Sequence, residues 1–271
     1  MAKQISKSPI SQADLAKFVD ENDDFGFEIG VFKRIRQLGI PATHGGSYID
    51  RLTHKSRQFD IRCHVDIFPG VKISMAVECK NLYESFPLLI SRMPRVDEER
   101  QLQWITSRGF HGNVNHLGAS LAKPAQYYLE SQWVGKATTQ VGKALGNGEF
   151  VSNDHEVFDK WAQALASAND LIRPANAGEM DRQTGYLLAV LPVLVVPDKT
   201  LWAADYSDDG SLVAGSPAEI TEAELYVGEK YKLTESAFYT VSNLHVFTTT
   251  GFFSFLEKML NDHSFKLRLR G

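Results

Sequence analysis

Residues 59–80 read FDIRCHVDIFPGVKISMAVECK, two alternating runs joined at Pro69-Gly70. Proline followed by glycine is turn chemistry, so the stretch predicts a β-hairpin. Side chains two apart on a strand share a face. In the second run Val71, Ile73, Met75, Val77 and Cys79 make one face apolar, while Lys72, Ser74, Ala76, Glu78 and Lys80 make the other. In the first run Ile61, Cys63, Val65 and Ile67 alternate with Asp60, Arg62, His64 and Asp66. One side of the hairpin is therefore expected to pack on a core, and the other to present Asp60, Glu78 and Lys80.

Working outward, residues 11–20 predict a short helix with Ser11 as its N-cap. Residues 25–38 predict a second, with Phe27, Val31, Ile35 and Leu38 at helical spacing and Gly39 and Pro41 to stop it. A strand is expected at 46–52. Beyond Asn81 the pattern is lost over 81–123, read as an irregular insertion. A helix is expected from Pro124 to Leu145, opened by the proline, then a loop at 146–153 and a helix at 154–171. Gly185–Val196 is a continuous apolar strand and Thr200–Asp205 another, followed by a turn-rich 208–216. The end reads as a strand at 242–248 and a helix at 251–261. The order helix, three strands, helix, strand predicts one α/β domain with a mixed central sheet flanked by helices. Its core spans about 25–196, and 197–271 form a C-terminal α/β extension.

The 271 residues are 43% hydrophobic and 23% charged, ordinary for a globular chain. No apolar run approaches the roughly 20 residues of a membrane helix, and the polar start, MAKQISKSPISQAD, lacks the core of a signal peptide. Two cysteines are too few for a disulfide framework or a cysteine zinc site, so a reduced, cytoplasmic protein is expected. A net charge of −4 excludes a uniformly basic nucleic-acid binder, leaving local patches such as Lys33, Arg34 and Arg36 to meet any phosphate.

The polar face of the hairpin carries a chemistry. Phosphodiester hydrolysis needs neutralised phosphate charge and an activated water. Mg²⁺ takes hard oxygen ligands, usually one or two carboxylates plus water and substrate phosphate. Asp60 and Glu78 can supply the carboxylates, helped by the backbone carbonyl of Cys79, and Lys80 can orient the water or steady developing charge. Such a set is expensive to bury without a metal or partner.

FDIR at 59–62 followed by AVECK at 76–80 resembles the PD-(D/E)xK, or restriction-endonuclease-like, nuclease superfamily. The signature is an Asp near the start of the second core strand, then a Glu or Asp, one residue and a Lys on the third; here Phe59 replaces the usual proline. The resemblance implies a Mg²⁺-dependent endonuclease acting on DNA, with Mn²⁺ able to substitute. It adds Glu28, on the first core helix, as a further metal ligand. It also implies that Lys136, Gln140 and Lys143, in WVGKATTQVGK, line the site from a helix. Restriction, phage defence or repair would follow by analogy, and a homodimer is the arrangement expected for cutting both strands. The alternative is a catalytically inactive nucleic-acid-binding or assembly protein with the same fold.

Other residues have blander readings beside the functional ones. Arg92 and Arg95, just past the motif, can grip phosphate or simply be solvated. Asp50 replaces Asp60 if the strand pairing is shifted, and Asp66 reads as a solvent residue at the hairpin end. His44, His54 and His64 match no zinc spacing and read as loop or strand-surface residues; His111 and His116 fall in a Gly/Asn-rich segment. Cys63 and Cys79 read as small core residues, and the aromatic end from Phe238 to Phe255 as core.

Overall fold

The computed structural model describes residues 8–21, 24–51, 53–109, 115–121, 129–144, 146, 148–153, 155–172, 186–233 and 235–270. Helices α1 (Gln12–Glu21) and α2 (Asp24–Gln37) lead into strands β1 (Ala42–Ile49), β2 (Ser56–Phe68) and β3 (Val71–Cys79). Next come β4 (Leu88–Pro94), a 3-10 turn at Asp97–Arg100, β5 (Gln103–Gly109), β6 (Asn115–Leu121), β7 (Trp133–Lys143) and β8 (Phe150–Asn153). Helix α3 (His155–Leu171) precedes β9 (Tyr186–Val196), β10 (Leu201–Asp205), β11 (Ala218–Glu219), β12 (Glu222–Lys232) and β13 (Phe238–Thr248). Helices α4 (Thr249–Asn261) and α5 (His263–Arg270) follow.

The hairpin forms as its alternation demands. Gly70 turns it with φ +76°, a left-handed conformation that glycine adopts without strain. Ile61 pairs with Val77 and Cys63 with Met75, a register that sets Asp60 opposite Glu78. Among the described residues one mixed sheet of 13 strands results, in the order β1-β2-β3-β9-β13-β12-β7-β4-β10-β11, with β5 and β6 joined beside β9 and β8 beside β7. Helices flank it on both faces. Val31 and Ile35 of α2, Phe252 and Leu256 of α4 and Phe265 of α5 share one buried cluster with Cys63 and Cys79. Leu165 and Ala168 of α3 pack on Ala76 and Val190 across the sheet. The polar face of the hairpin is thus roofed by α3, and Arg62 fastens it, donating to Ser167 Oγ (3.2 Å) and Asp170 Oδ2 (2.9 Å).

Strand β9 runs parallel to β3 from Val71–Leu187 to Cys79–Val195, so the connection between them must cross over, and α3 lies in it. Buried on both faces, β9 is apolar throughout. It nevertheless contains Pro192, which removes a ladder donor. The far edge of β9 pairs with β5 up to Leu188 and with β13 from Val193, leaving a gap between them. Val190, two residues before the proline, points its N–H into that gap and donates to Tyr239 Oη at 3.0 Å. By strand parity Pro192 faces the same gap, where no ladder partner waits for its missing proton.

Three expectations are corrected. WVGKATTQVGK is strand β7, not a helix, so Lys136, Gln140 and Lys143 come from a sheet; residues 124–128 and 145 of the expected helix lie outside the described residues. The reason is visible in Gly135 and Gly142. A Cβ at Gly135 would stand 2.7 Å from Ile90 Cγ2, and one at Gly142 2.5 Å from Phe86 Cδ2. These glycines admit neighbouring side chains against the strand. Gly135→Val should therefore cost about 1–3 kcal/mol, read as a lower urea midpoint; an unchanged midpoint would show that β7 can shift. Secondly, 81–123 holds β4, β5 and β6 where an irregular insertion was expected. Thirdly, 197–271 is no extension, because β13 pairs with β9 inside the sheet. Among the described residues no helix is long and apolar enough to cross a membrane.

Candidate functional site

Asp60 and Glu78 meet at the end of the hairpin, where β2 begins and β3 ends. Asp60 Oδ2 accepts the Cys79 backbone N–H at 2.8 Å, so Cys79 contributes its amide to this arrangement. Glu28, in the N-terminal half of α2, is the third carboxylate. The cation among them is Lys160 of α3. Its Nζ lies 2.8 Å from Asp60 Oδ2, 3.6 Å from Glu78 Oε2 and 3.9 Å from Glu28 Oε1. His44 of β1 completes the group, with Nε2 3.5 Å from Glu28 Oε2.

Lys80, expected beside Asp60 and Glu78, is directed elsewhere: its Nζ bonds Asp24 Oδ2 at 3.0 Å. Strand β3 ends at Cys79, and the ladder that fixes side-chain parity ends with it. Asp24, one turn before Glu28 on α2, also accepts the Asn81 backbone N–H at 2.9 Å and so anchors the chain as it leaves the sheet.

Burial governs the electrostatics. Glu78 is 0% exposed, and among the described residues no donor reaches either of its carboxylate oxygens in hydrogen-bonding geometry, Lys160 Nζ standing 3.6 Å from Oε2. Desolvation first, then the charge of Asp60, raises its pKa well above the usual carboxylate range, against the opposing pull of Lys160. Glu28 is raised for the same two reasons, with Lys160 and His44 opposing. For Lys160 burial favours the neutral amine, but Asp60, Glu78 and Glu28 outweigh it and hold the ammonium charged. Tyr48, on the neighbouring β1, is pushed up to about 12 by burial and then by the charge of Glu78. The cluster thus sets three carboxylates against one lysine, with a deficit of positive charge.

A buried carboxylate with unbonded oxygens needs a proton or a cation. Hard oxygen donors from three segments suit a divalent ion such as Mg²⁺ or Mn²⁺. As they stand, no group of three or more His, Cys, Asp or Glu among the described residues is arranged to hold a metal ion; Asp60, Glu78 and Glu28 gather around an ammonium instead.

The other candidate residues are engaged elsewhere. Arg92 makes a two-pronged pair with Asp205 at 2.7 and 2.9 Å. Arg95 is buried, bonded to Glu224 Oε2 at 2.7 Å and to Asn243, and burial lifts Glu224 to about 7 despite Arg95. Lys136 pairs with Glu99, Gln140 is buried and donates to Phe86 O, and Lys143 is exposed at the end of β7. Asp50 is bound to Arg57 and Thr53 in the turn after β1, so it does not take the place of Asp60. Asp66 is exposed beside Lys72, as expected of a hairpin end. His54 lies in the exposed turn before β2 and His64 on β2; His111 and the side chain of His116 lie outside the described residues. Both cysteines are buried core, and burial pushes the Cys63 thiol up to about 12. Phe247, Phe252, Phe253 and Phe255 are core as expected, whereas Phe238 is exposed.

Sequence reading missed Lys160 and the nearness of His44. Lys160 had a signal: with Val157, Ala164 and Ala168 it falls on the apolar stripe of α3, where a charge needs a partner. No family model, no curated protein and no solved structure matches this chain.

Proposed function

We propose that the protein is a metal-dependent nuclease of the PD-(D/E)xK type that hydrolyses phosphodiester bonds of DNA, with Lys160 in the role expected of Lys80. The observation that carries this reading is Glu78, wholly buried, with no hydrogen bond to either oxygen among the described residues and the Lys160 ammonium 3.6 Å from Oε2. Order also supports it: α2, the meander β1–β2–β3, helix α3 and parallel β9 follow the core order of that superfamily, with β4–β8 inserted before α3. Asp60, Glu78 and Glu28, with the Cys79 carbonyl, would hold Mg²⁺ or Mn²⁺, which when bound neutralises phosphate charge and lowers the pKa of a water. Lys160 donates to Asp60 and carries the ammonium that orients the attacking water or steadies developing charge. His44 faces Glu28 and limits where that carboxylate can turn.

The test is cleavage of supercoiled plasmid with Mg²⁺ and with chelator. Asp60→Ala and Lys160→Met should each lower the rate about 10³-fold. Metal-dependent cleavage that survives both substitutions would sink the assignment. A second reading, a non-catalytic DNA-binding or assembly protein of the same fold, draws on Lys160 itself, which already supplies the carboxylates with a partner. It predicts binding that weakens steeply with salt and no turnover at any metal concentration.

A further inference from the structure

Next to the carboxylates the surface opens into a cavity of about 250 Å³ bordered by Asp24, Lys80, Asn81, Tyr83, Gln140 and Asn153. None of Glu28, Asp60, Glu78 and Lys160 lines it, but the chain links the two: Asp24 lies one helical turn before Glu28 on α2, and Lys80 two residues after Glu78. Its floor is fixed, because Asp24 accepts from both Lys80 Nζ and the Asn81 N–H. Three amide-bearing residues line it from three separate segments: Asn81 after β3, Gln140 on β7, whose Nε2 donates to Phe86 O, and Asn153 at the end of β8, whose Oδ1 accepts the His155 N–H. Two aromatic rings border it as well. Tyr83 is 51% exposed. Phe86 lies so close to Gly142 that any side chain there would displace the ring.

Aromatic faces, amides and an ammonium form a particular donor set. Bases of every kind stack on aromatic rings, amides match the paired donors and acceptors of base edges, and a lysine meets phosphate as a point charge. The volume lies just below the roughly 300–1,000 Å³ of small-molecule sites, which suits one ring system and not a duplex. We propose that this cavity is a nucleotide subsite, holding one unstacked base beside the scissile phosphate with Lys80 on the backbone. The proposal rests on the phosphodiester reading of the neighbouring carboxylates. It gives Lys80 a role in holding substrate and leaves the site's own cation to Lys160.

Titration calorimetry of the full chain, without divalent metal, tests it independently of cleavage. The probes are the four deoxynucleoside 5′-monophosphates and ribose 5-phosphate. At least one nucleotide should bind ten times or more tighter than ribose 5-phosphate, and Tyr83→Ala should weaken it about tenfold, the effect of losing a stacked base. Asn153→Ala, also at an exposed position, should change the ranking of the four bases. Equal binding of nucleotides and ribose 5-phosphate, or nucleotide binding untouched by Tyr83→Ala, would overturn the subsite. Nucleotide binding without plasmid cleavage would retain the subsite and reject the nuclease. Cleavage without nucleotide preference would do the reverse.

Discussion

Lys160→Met should remove about 3–5 kcal/mol of stability in metal-free buffer, because it strips three buried carboxylates of their cation. Lys160 is 18% exposed and its partners 0% to 14%, so solvent does little to screen the loss. In a domain of this size the unfolding midpoint should fall by roughly 6–20 °C. If the carboxylates form a divalent-ion site, the variant should then be rescued by Mn²⁺ or Mg²⁺. An ion at a hundredfold excess over its Kd restores about 2.7 kcal/mol. Scanning calorimetry with and without metal reads both effects, and cleavage stays about 10³-fold below wild type throughout. A midpoint within 2 °C of wild type in chelator would show that Lys160 does not hold the cluster together.

Glu78→Gln should act in the opposite direction on stability. Burial and Asp60 raise the folded-state pKa of Glu78 above its unfolded value. The fold therefore prefers the protonated acid. Stability from this group is fully present below the unfolded pKa, about 4.3 for a free glutamate, and is lost as pH rises through the folded one. At pH 8 the wild type bears that loss and the amide does not. The variant should then be more stable by about 1–2 kcal/mol, with the gap closing toward pH 4. Denaturant midpoints at pH 4, 6 and 8 measure it. Cleavage should fall about 10³-fold in the same variant, and added Mg²⁺ should stabilise the wild type more than Glu78→Gln. A variant less stable than wild type at every pH would mean that the protein itself already satisfies Glu78.

The hairpin was legible because everything that defines it is local: an alternation, a Pro-Gly turn and an apolar face. Those features placed Asp60 opposite Glu78. Lys80 was misplaced because parity holds only while a ladder continues, and Asp24 captures its ammonium beyond the last rung. Lys160 was not found because it reaches the cluster from a helix that begins at residue 155. The helix expected across β7 shows another limit. Pro124 suits a helix start, whereas the informative residues are Gly135, Thr138, Thr139 and Gly142, which suit a crowded strand. The partners that crowd it, Ile90, Leu225 and Phe86, are known only from the fold.

The gap along β9 also governs the order in which the protein can assemble. The hairpin can zip as soon as it is made, but its inner edge waits for β9, and the far edge of β9 waits for β13, beginning at Phe238. These pairings span long stretches of chain, which makes closure slow. Until then an apolar strand carries an unpaired edge, a template for association with other chains. During synthesis, the chain must emerge through β13 before its central strand is sealed. A chain ending before Phe238 would present the open edge permanently, and it should accumulate in the insoluble fraction.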